Sequence, residues 1–334
     1  MKVFVIELRR LGLALSGVVL ATGLFGCGAG DEPAAGPEGA EQVSVVATTG
    51  MIGDIASRIA GDRARVETIM KPGVDPHLYN PTRSDVARLM NADLILYNGL
   101  KLEGKMQDTF ERLQANGKAV VAVASQLDEA RLLAPAGAGG HPDPHVWMDV
   151  EAWSAVSVFI RDTLVGEFPE AGEDFRRNAE GLLEEMDLLE DYVSTVIDSI
   201  PERRRLLVTA HDAFNYFGRA YGIEVRGIQG LSTESEAGIR DINELIDVMV
   251  EREVSAVFVE TSVADKNVKS VVEGARSRGH EVVVGGSLYS DAMGQTGAYE
   301  GTYVGMIDHN ATTIATSLGG DAPEGGFREW KSKQ

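Results

Sequence analysis

The sequence predicts an α/β protein of two lobes, in which mainly parallel sheets are covered by helices and one long helix joins the lobes. Short β-branched runs alternate with apolar residues at helical spacing from Val43 onward, which indicates parallel strands covered on both faces. A helical pattern over 171–200 interrupts this alternation and contains no proline. With 334 residues, the chain is long enough for two lobes.

The first 42 residues have the composition of an export signal followed by a tether. A basic start precedes an apolar run over 11–25, and the sequence around Cys27 resembles a bacterial lipobox. We therefore predict a lipoprotein signal peptide over 1–27, lipidation of Cys27, and a flexible tether over 28–42. A plain cleaved signal and an uncleaved anchor are the alternatives. The rest of the chain has no other apolar run of membrane length, so we expect it to be exported and soluble.

The first lobe, predicted over 43–168, alternates strands with helices. We expect its strands at 43–48, 66–70, 93–97 and 119–124, and its helices at 51–59, from residue 82, at 102–113 and at 149–166. Thr82 and Asp149 each precede a helical pattern, and both residue types are favoured at the N-cap position.

A linking helix is predicted over 169–201. Apolar residues keep helical spacing up to Ile197, and at 1.5 Å per residue such a helix would span roughly 40 Å before Pro201 ends it. A second lobe, predicted over 202–318, has expected strands at 206–209, 224–228, 254–259 and 281–284, and expected helices at 213–221, 239–252, 267–278 and 300–318. Residues 319–334 are predicted to form a frayed polar tail.

Charge and cysteine content exclude several kinds of partner and site. The formal net charge is −20 and the isoelectric point is about 4.7. Such acidity disfavours nucleic acids and anionic membrane surfaces, because both require a basic face. The single cysteine, Cys27, allows neither an intrachain disulfide nor a thiolate metal cluster.

Two Asp-Pro-His segments are the strongest indication of a metal-binding site in the sequence. They are Asp75-Pro76-His77 and Asp143-Pro144-His145, and in each the proline stiffens the backbone around the imidazole. His211 follows a predicted strand and Asp291 lies beyond another, which is where ligands bind in open α/β sheets. Three imidazole nitrogens and one carboxylate suit a borderline divalent ion such as Zn²⁺. The sequence therefore predicts a metal site in the cleft, with two ligands from each lobe.

The remaining histidines and one glutamate are weaker candidates for metal ligands than these four residues. His280 precedes a strand and His309 lies within a predicted helix, so we expect both to be surface or hydrogen-bonded residues. His141 lies in a glycine-rich loop and is a weaker candidate for an accessory ligand. Glu260 ends a strand near the proposed cleft. We expect it to accept a hydrogen bond from a ligating imidazole rather than to bind the ion.

Taken together, these motifs resemble the metal-binding substrate-binding proteins of zinc and manganese ABC transporters, the TroA-like family, over about residues 43–318. The resemblance is carried by the two Asp-Pro-His segments, the second extending to Asp149, and by the segments 91–95, 209–214, 257–260 and 290–294. It implies little lobe movement on binding. It also implies that the metal ligands are His77, His145, His211 and Asp291. Family members with histidine at the third position lean to zinc and those with glutamate lean to manganese. The loop over 134–140 lacks the long His/Asp-rich insertion of many zinc-specific members.

The resemblance implies a lipid-anchored, extracytoplasmic receptor that captures Zn²⁺ or Mn²⁺ and delivers it to an ABC-transporter permease. We expect such a receptor to be a monomer, not an enzyme, and not to bind nucleic acid. A secreted zinc hydrolase is one alternative, but four protein ligands would close the site to water and the sequence has no His-Glu-x-x-His motif. A surface adhesin with a structural metal is the other, and it predicts that metal removal unfolds the protein. The choice of metal and a contribution from His141 stay open at this stage.

Overall fold

Four parallel strands form the sheet of the first lobe. The computed structural model describes residues 43–134 and 140–334, so the predicted signal peptide, tether and Cys27 lie outside the described residues. The strands are β1 Val43–Ala47, β2 Ala64–Thr68, β3 Leu94–Tyr97 and β4 Ala119–Ala122. Their order in the sheet is β2-β1-β3-β4, and all three pairings are parallel. The carboxyl ends of these strands therefore lie along one edge of the sheet.

Helices connect these strands and cover the sheet. They are α1 Gly50–Ala60, α2 Arg83–Asn91, α3 Gln107–Ala115 and α4 Val150–Glu167. Thr82 caps α2 as predicted: its hydroxyl accepts from the backbone N–H of Asp85, whose carboxylate accepts from the backbone N–H of Thr82. Asp149 caps α4 with a single bond, in which its carboxylate accepts from the backbone N–H of Ala152. Both predicted helix starts are confirmed.

The linking helix, α5 Gly172–Asp198, has 27 residues and spans about 40 Å. Its buried side chains recur every three or four residues, from Phe175 through Met186 to Ile197. This face packs against both α1 and α4. The helix therefore forms part of the core along much of its length.

The second lobe repeats the parallel arrangement. Its strands are β5 Leu206–His211, β6 Glu224–Gln229, β7 Ala256–Glu260 and β8 Val283–Leu288. β5 pairs with β6 and β7 pairs with β8, both in parallel, and β5 lies beside β7. The helices are α6 Asn215–Tyr221, α7 Ile239–Glu251, α8 Lys266–Ser277, α9 Tyr303–Ser317 and α10 Gly326–Lys331.

One buried apolar cluster contains residues of both lobes and of the linking helix. Trp153 of α4 and Tyr303 of α9 have ring centroids 6.1 Å apart, and the Tyr303 hydroxyl donates to the carbonyl of Trp147 at 2.9 Å. Tyr192 of α5 belongs to the same cluster and is fully buried. Because protein cores are close-packed, this shared core resists separation of the lobes.

Two expectations from the sequence are wrong. The tail over 319–334 is not frayed throughout, because it contains α10, where Phe327 is 1% exposed and packs against Tyr192. The last strand does not end at residue 284 as predicted, because β8 runs on through Gly285 and Gly286 to Leu288. A Cβ at Gly286 would lie 2.5 Å from Cγ2 of Thr313, so the glycine is what allows α9 to pack this closely on the strand. Within the described ranges, no helix is both long enough and apolar enough to cross a membrane.

Candidate metal centre

Four side chains predicted from the sequence converge at the carboxyl edges of the strands. His77 lies in the loop after β2, and His145 immediately precedes the short 3₁₀ turn that leads into α4. His211 is the last residue of β5, and Asp291 follows the end of β8 by three residues. One potential ligand atom from each of these four candidate ligands lies within 4.8 Å of all the others.

The distances between these atoms are close to those of a tetrahedral metal shell. The Nε2 atoms of His77 and His145 are 3.3 Å apart. The carboxylate oxygens of Asp291 lie 3.2, 3.4 and 3.6 Å from the Nε2 atoms of His211, His145 and His77, respectively. Ligands bound at about 2.0–2.1 Å to a tetrahedral ion lie about 3.3 Å from one another. These four separations are therefore close to those expected around such an ion, and one ligand atom from each side chain lies within 4.8 Å of the others.

The candidate ligands are buried, and several of their polar atoms are unsatisfied. His145 and His211 are fully buried, Asp291 is 2% exposed and His77 is 5% exposed. Within the described part of the chain, the Nε2 atom of His211 and both carboxylate oxygens of Asp291 have no hydrogen-bond partner, since the 3.2 Å approach between them lacks hydrogen-bond geometry. Buried polar atoms are rarely left unpaired, because each costs free energy. A bound cation would explain why these atoms have no hydrogen-bond partner.

Neighbouring carboxylates orient two of the imidazoles. Asp143 Oδ1 lies 2.7 Å from Nδ1 of His145 and also accepts from the His145 backbone N–H at 2.9 Å. Glu260 Oε2 lies 2.5 Å from Nδ1 of His211, and Oε1 accepts from the His211 backbone N–H at 2.8 Å. A proton on Nδ1 leaves Nε2 as the free lone pair, which is the usual arrangement behind a metal-binding histidine.

The surroundings of the candidate ligands shift their pKa values in different directions. Burial lowers the pKa of His77 to about 4. Burial also opposes the charging of His211, but the carboxylates of Glu260 and Asp291 outweigh it and raise the pKa of His211 well above its usual value. Burial would raise the pKa of Asp291, but the adjacent histidines, His211 foremost, hold that pKa well below its usual value. Asp291 is therefore an anion at neutral pH.

The other histidines lie away from this cluster. His280 Nε2 lies 2.7 Å from the carbonyl of Val254, and His309 Nε2 lies 2.8 Å from the carbonyl of Ser287, so both are hydrogen-bonded as expected. His141 is exposed, and its Nε2 lies 2.6 Å from Nζ of Lys101. It does not join the group of candidate ligands.

Comparison with known proteins identifies the family. A family model described as "ZnuA: Zinc-uptake complex component A periplasmic" matches residues 45–317. The chain belongs to this family. The manganese-binding lipoprotein MntA of Bacillus subtilis is 45% identical over 314 residues, covering 92% of this chain and 99% of the relative. These metal-binding substrate-binding proteins of ABC transporters form the TroA-like family, as the resemblance implied.

Solved structures of the TroA-like family share this fold. The periplasmic zinc-binding protein TroA of Treponema pallidum matches with a TM-score of 0.80 at 45% identity, over 83% of this chain and 99% of that chain. Fe(III)-bound YtgA of Chlamydia trachomatis matches with a TM-score of 0.76 at 30% identity, over 85% of this chain and 100% of that chain. The family consists of extracytoplasmic solute-binding proteins rather than enzymes, and its members work with a membrane permease.

The sequence did not predict the hydrogen bonds that connect the two lobes around the site. Thr233 Oγ1 donates to Asp75 Oδ2 at 2.5 Å, and Asn215 Nδ2 donates to Asp143 Oδ2 at 3.0 Å. Trp147 Nε1 donates to the carbonyl of Ser290 at 2.9 Å, beside Asp291. No local motif signals these partners, because each pair is separated by more than 70 residues in the chain.

Proposed function

We propose that this protein captures a divalent transition-metal ion through His77, His145, His211 and Asp291 and delivers it to the permease of an ABC transporter. The observation that carries the proposal is the convergence of three imidazole nitrogens on a buried carboxylate whose oxygens have no hydrogen-bond partner among the described residues. The metal is cargo here, so the site must both load and unload it.

We propose Zn²⁺ or Mn²⁺ as the cargo. Three imidazoles and one carboxylate suit Zn²⁺, while the carboxylate oxygens also suit the harder Mn²⁺. Relatives of both kinds support this pair, since MntA of Bacillus subtilis is described as manganese-binding and TroA of Treponema pallidum as zinc-binding. Glu260 holds His211 in place in this proposal and does not bind the ion.

The proposed arrangement in the cell is a monomeric receptor tethered to the membrane. In it, Cys27 carries the lipid, residues 28–42 form the tether, and the lobes over 43–168 and 202–318 are joined by the helix over 169–201. The support is the lipobox-like sequence at Cys27 and the description of MntA as a lipoprotein. Replacing Cys27 by alanine should release the protein from the membrane fraction. An unmodified mature N-terminus downstream of Cys27 in wild type would refute the anchor.

Two other functions are less well supported. A zinc hydrolase requires an open coordination position for water, and four protein ligands leave none in a tetrahedral shell. An adhesin with a structural metal predicts that the metal-free protein is unfolded, whereas a receptor must stay folded when empty. Calorimetry with and without chelator distinguishes a receptor from an adhesin with a structural metal. For a receptor we expect a cooperative transition in both samples, at a higher temperature with metal.

Metal analysis of protein purified without added metal tests the proposed function. We expect about one zinc or manganese ion per chain, as befits a single four-ligand site. The variant His145→Ala should lose most of this metal. His280→Ala is the matched control, because His280 bonds to a carbonyl away from the cluster. Wild-type protein that retains neither metal, and binds neither when titrated, would overturn the proposal.

A further inference from the structure

The two Asp-Pro-His segments share one pattern of hydrogen bonds. In each, one carboxylate oxygen accepts from the backbone N–H of the histidine two residues later: Asp75 Oδ1 from His77 at 2.8 Å, and Asp143 Oδ1 from His145 at 2.9 Å. This hydrogen bond fixes the backbone of the histidine, and so the position from which its side chain extends. Each aspartate thus determines the position of the candidate ligand in its own lobe.

The second oxygen of each aspartate accepts from a residue of the other lobe. Thr233 donates to Asp75 Oδ2 at 2.5 Å, and Asn215 donates to Asp143 Oδ2 at 3.0 Å. Hydrogen bonds to a carboxylate are stronger than those between neutral groups. Each aspartate therefore couples a candidate ligand of the first lobe to the position of the second lobe.

The two donors differ in how they are held. Asn215 is the first residue of α6, so it is fixed to a helix that packs in the core. Thr233 lies in the segment 230–238, which connects β6 to α7 without helix or strand. A second polar contact across this part of the cleft is the ion pair of Lys105 with Glu234. It is 3.6 Å long and partly exposed, and such pairs contribute little. The hydroxyl of Thr233 is therefore the stronger link between this segment and the first lobe.

His77 and this segment share the wall of one cavity. The cavity has a volume of about 520 Å³ and is lined by His77 together with Leu231, Ser232, Glu234 and Ser235. Asp291 also lines a second cavity of about 350 Å³. Among the candidate ligands, His77 has the largest exposed fraction. An ion leaving on this side must pass His77 and the segment that carries Thr233.

We propose that Thr233 is a positioning residue that sets how long the cargo ion is retained. While its hydroxyl holds Asp75, the loop bearing His77 stays in the binding arrangement. When the segment 230–238 moves away, that bond breaks and His77 is free to leave the ion. This inference rests on the proposed function and identifies a determinant of release at the same site.

The test compares release rates in variants that remove or restore one hydroxyl. Wild type, Thr233→Val, Thr233→Ala and Thr233→Ser are loaded with Zn²⁺ and mixed with excess EDTA in a stopped-flow instrument. We expect the valine and alanine variants to release the ion about tenfold faster, as for the loss of one hydrogen bond to a charged group, and serine to restore the wild-type rate. Thr163→Val is the matched control, since Thr163 is also half-buried but donates within α4.

Two further readouts separate positioning from a general loss of structure. The association rate and the unfolding temperature of the metal-free protein should stay near wild-type values in all Thr233 variants. Release at the wild-type rate in both Thr233→Val and Thr233→Ala would overturn the inference. So would release that is equally fast in Thr233→Ser or in the Thr163→Val control. A wild-type protein that binds no metal instead refutes the proposed function itself, so the two failures are distinguishable.

Discussion

Glu260 holds His211 through two hydrogen-bond contacts, one to the backbone N–H at 2.8 Å and one to Nδ1 at 2.5 Å. The first fixes the position of the residue at the end of β5, and the second fixes which ring nitrogen carries the proton. Nε2 then faces the other candidate ligands and lies 3.2 Å from a carboxylate oxygen of Asp291. The carboxylate of Glu260 prepares the imidazole for a cation without contacting it.

Replacing Glu260 by glutamine should weaken metal binding about 10–100-fold. The amide oxygen can still accept from the backbone, but the amide NH₂ then faces Nδ1 of His211. Nδ1 must become an acceptor, and the proton moves to Nε2, where the ion should bind. Competitive titration against a chromophoric chelator measures the loss. Glu273→Gln is the control, since Glu273 is exposed on the surface of α8. Equal affinity of Glu260→Gln and wild type would refute this role of Glu260.

Metal binding near pH 7 should release protons, because His211 carries a raised pKa and must lose its proton to bind. His77, whose pKa is lowered to about 4, should contribute none at that pH. Affinity should therefore already fall as the pH drops below the raised pKa of His211, and His77 should add competition only near pH 4. Calorimetry in buffers of different ionisation enthalpy counts the protons. Heats that do not depend on the buffer would contradict this prediction.

The same pKa shift affects the stability of the metal-free protein. The folded-state pKa of His211 is raised above its unfolded value of about 6.5, so its contribution to the free energy of unfolding is fully present below that value. It is lost as the pH rises through the folded-state pKa. Denaturant unfolding of the metal-free protein between about pH 6 and pH 9 should show this decline. Glu260→Gln should make the decline smaller.

Asp291→Ala should weaken Mn²⁺ proportionately more than Zn²⁺. Asp291 is the only anionic candidate ligand, and Mn²⁺ depends more on oxygen ligands than Zn²⁺ does. Titration of both metals into the variant, wild type and Asp187→Ala measures the ratio, Asp187 being exposed on α5. If Asp291→Ala binds both metals as tightly as wild type, Asp291 is not a ligand and Glu260 is the next candidate.

Much of this site could be predicted because its signals are local. The Asp-Pro-His segments, the N-caps Thr82 and Asp149, and the strand end at His211 all depend on residues close together in the chain. Thr233 and Asn215 could not be predicted, because they donate across 158 and 72 residues, respectively. The helix α10 was missed for a related reason: six residues make no stable helix alone, so its formation depends on tertiary contacts.

Phe327→Ala should lower the free energy of unfolding by about 3 kcal/mol, as expected for truncating a buried phenylalanine. Phe327 is 1% exposed and lies 5.7 Å from the ring of Tyr192, so the loss would detach α10 from the linking helix. Urea unfolding measures the change, with the exposed Lys333→Ala as control. A change below about 0.5 kcal/mol, which is typical of surface substitutions, would mean that the tail contributes no packing.

In the proposed function, His77, His145, His211 and Asp291 bind the cargo ion together. A crystal structure of the zinc-loaded protein, with anomalous scattering collected at the zinc absorption edge, tests it most directly. We expect one dominant peak about 2.0–2.2 Å from the Nε2 atoms of the three histidines and from a carboxylate oxygen of Asp291. A peak at His141 or elsewhere on the surface, with these four side chains uncoordinated, would contradict it.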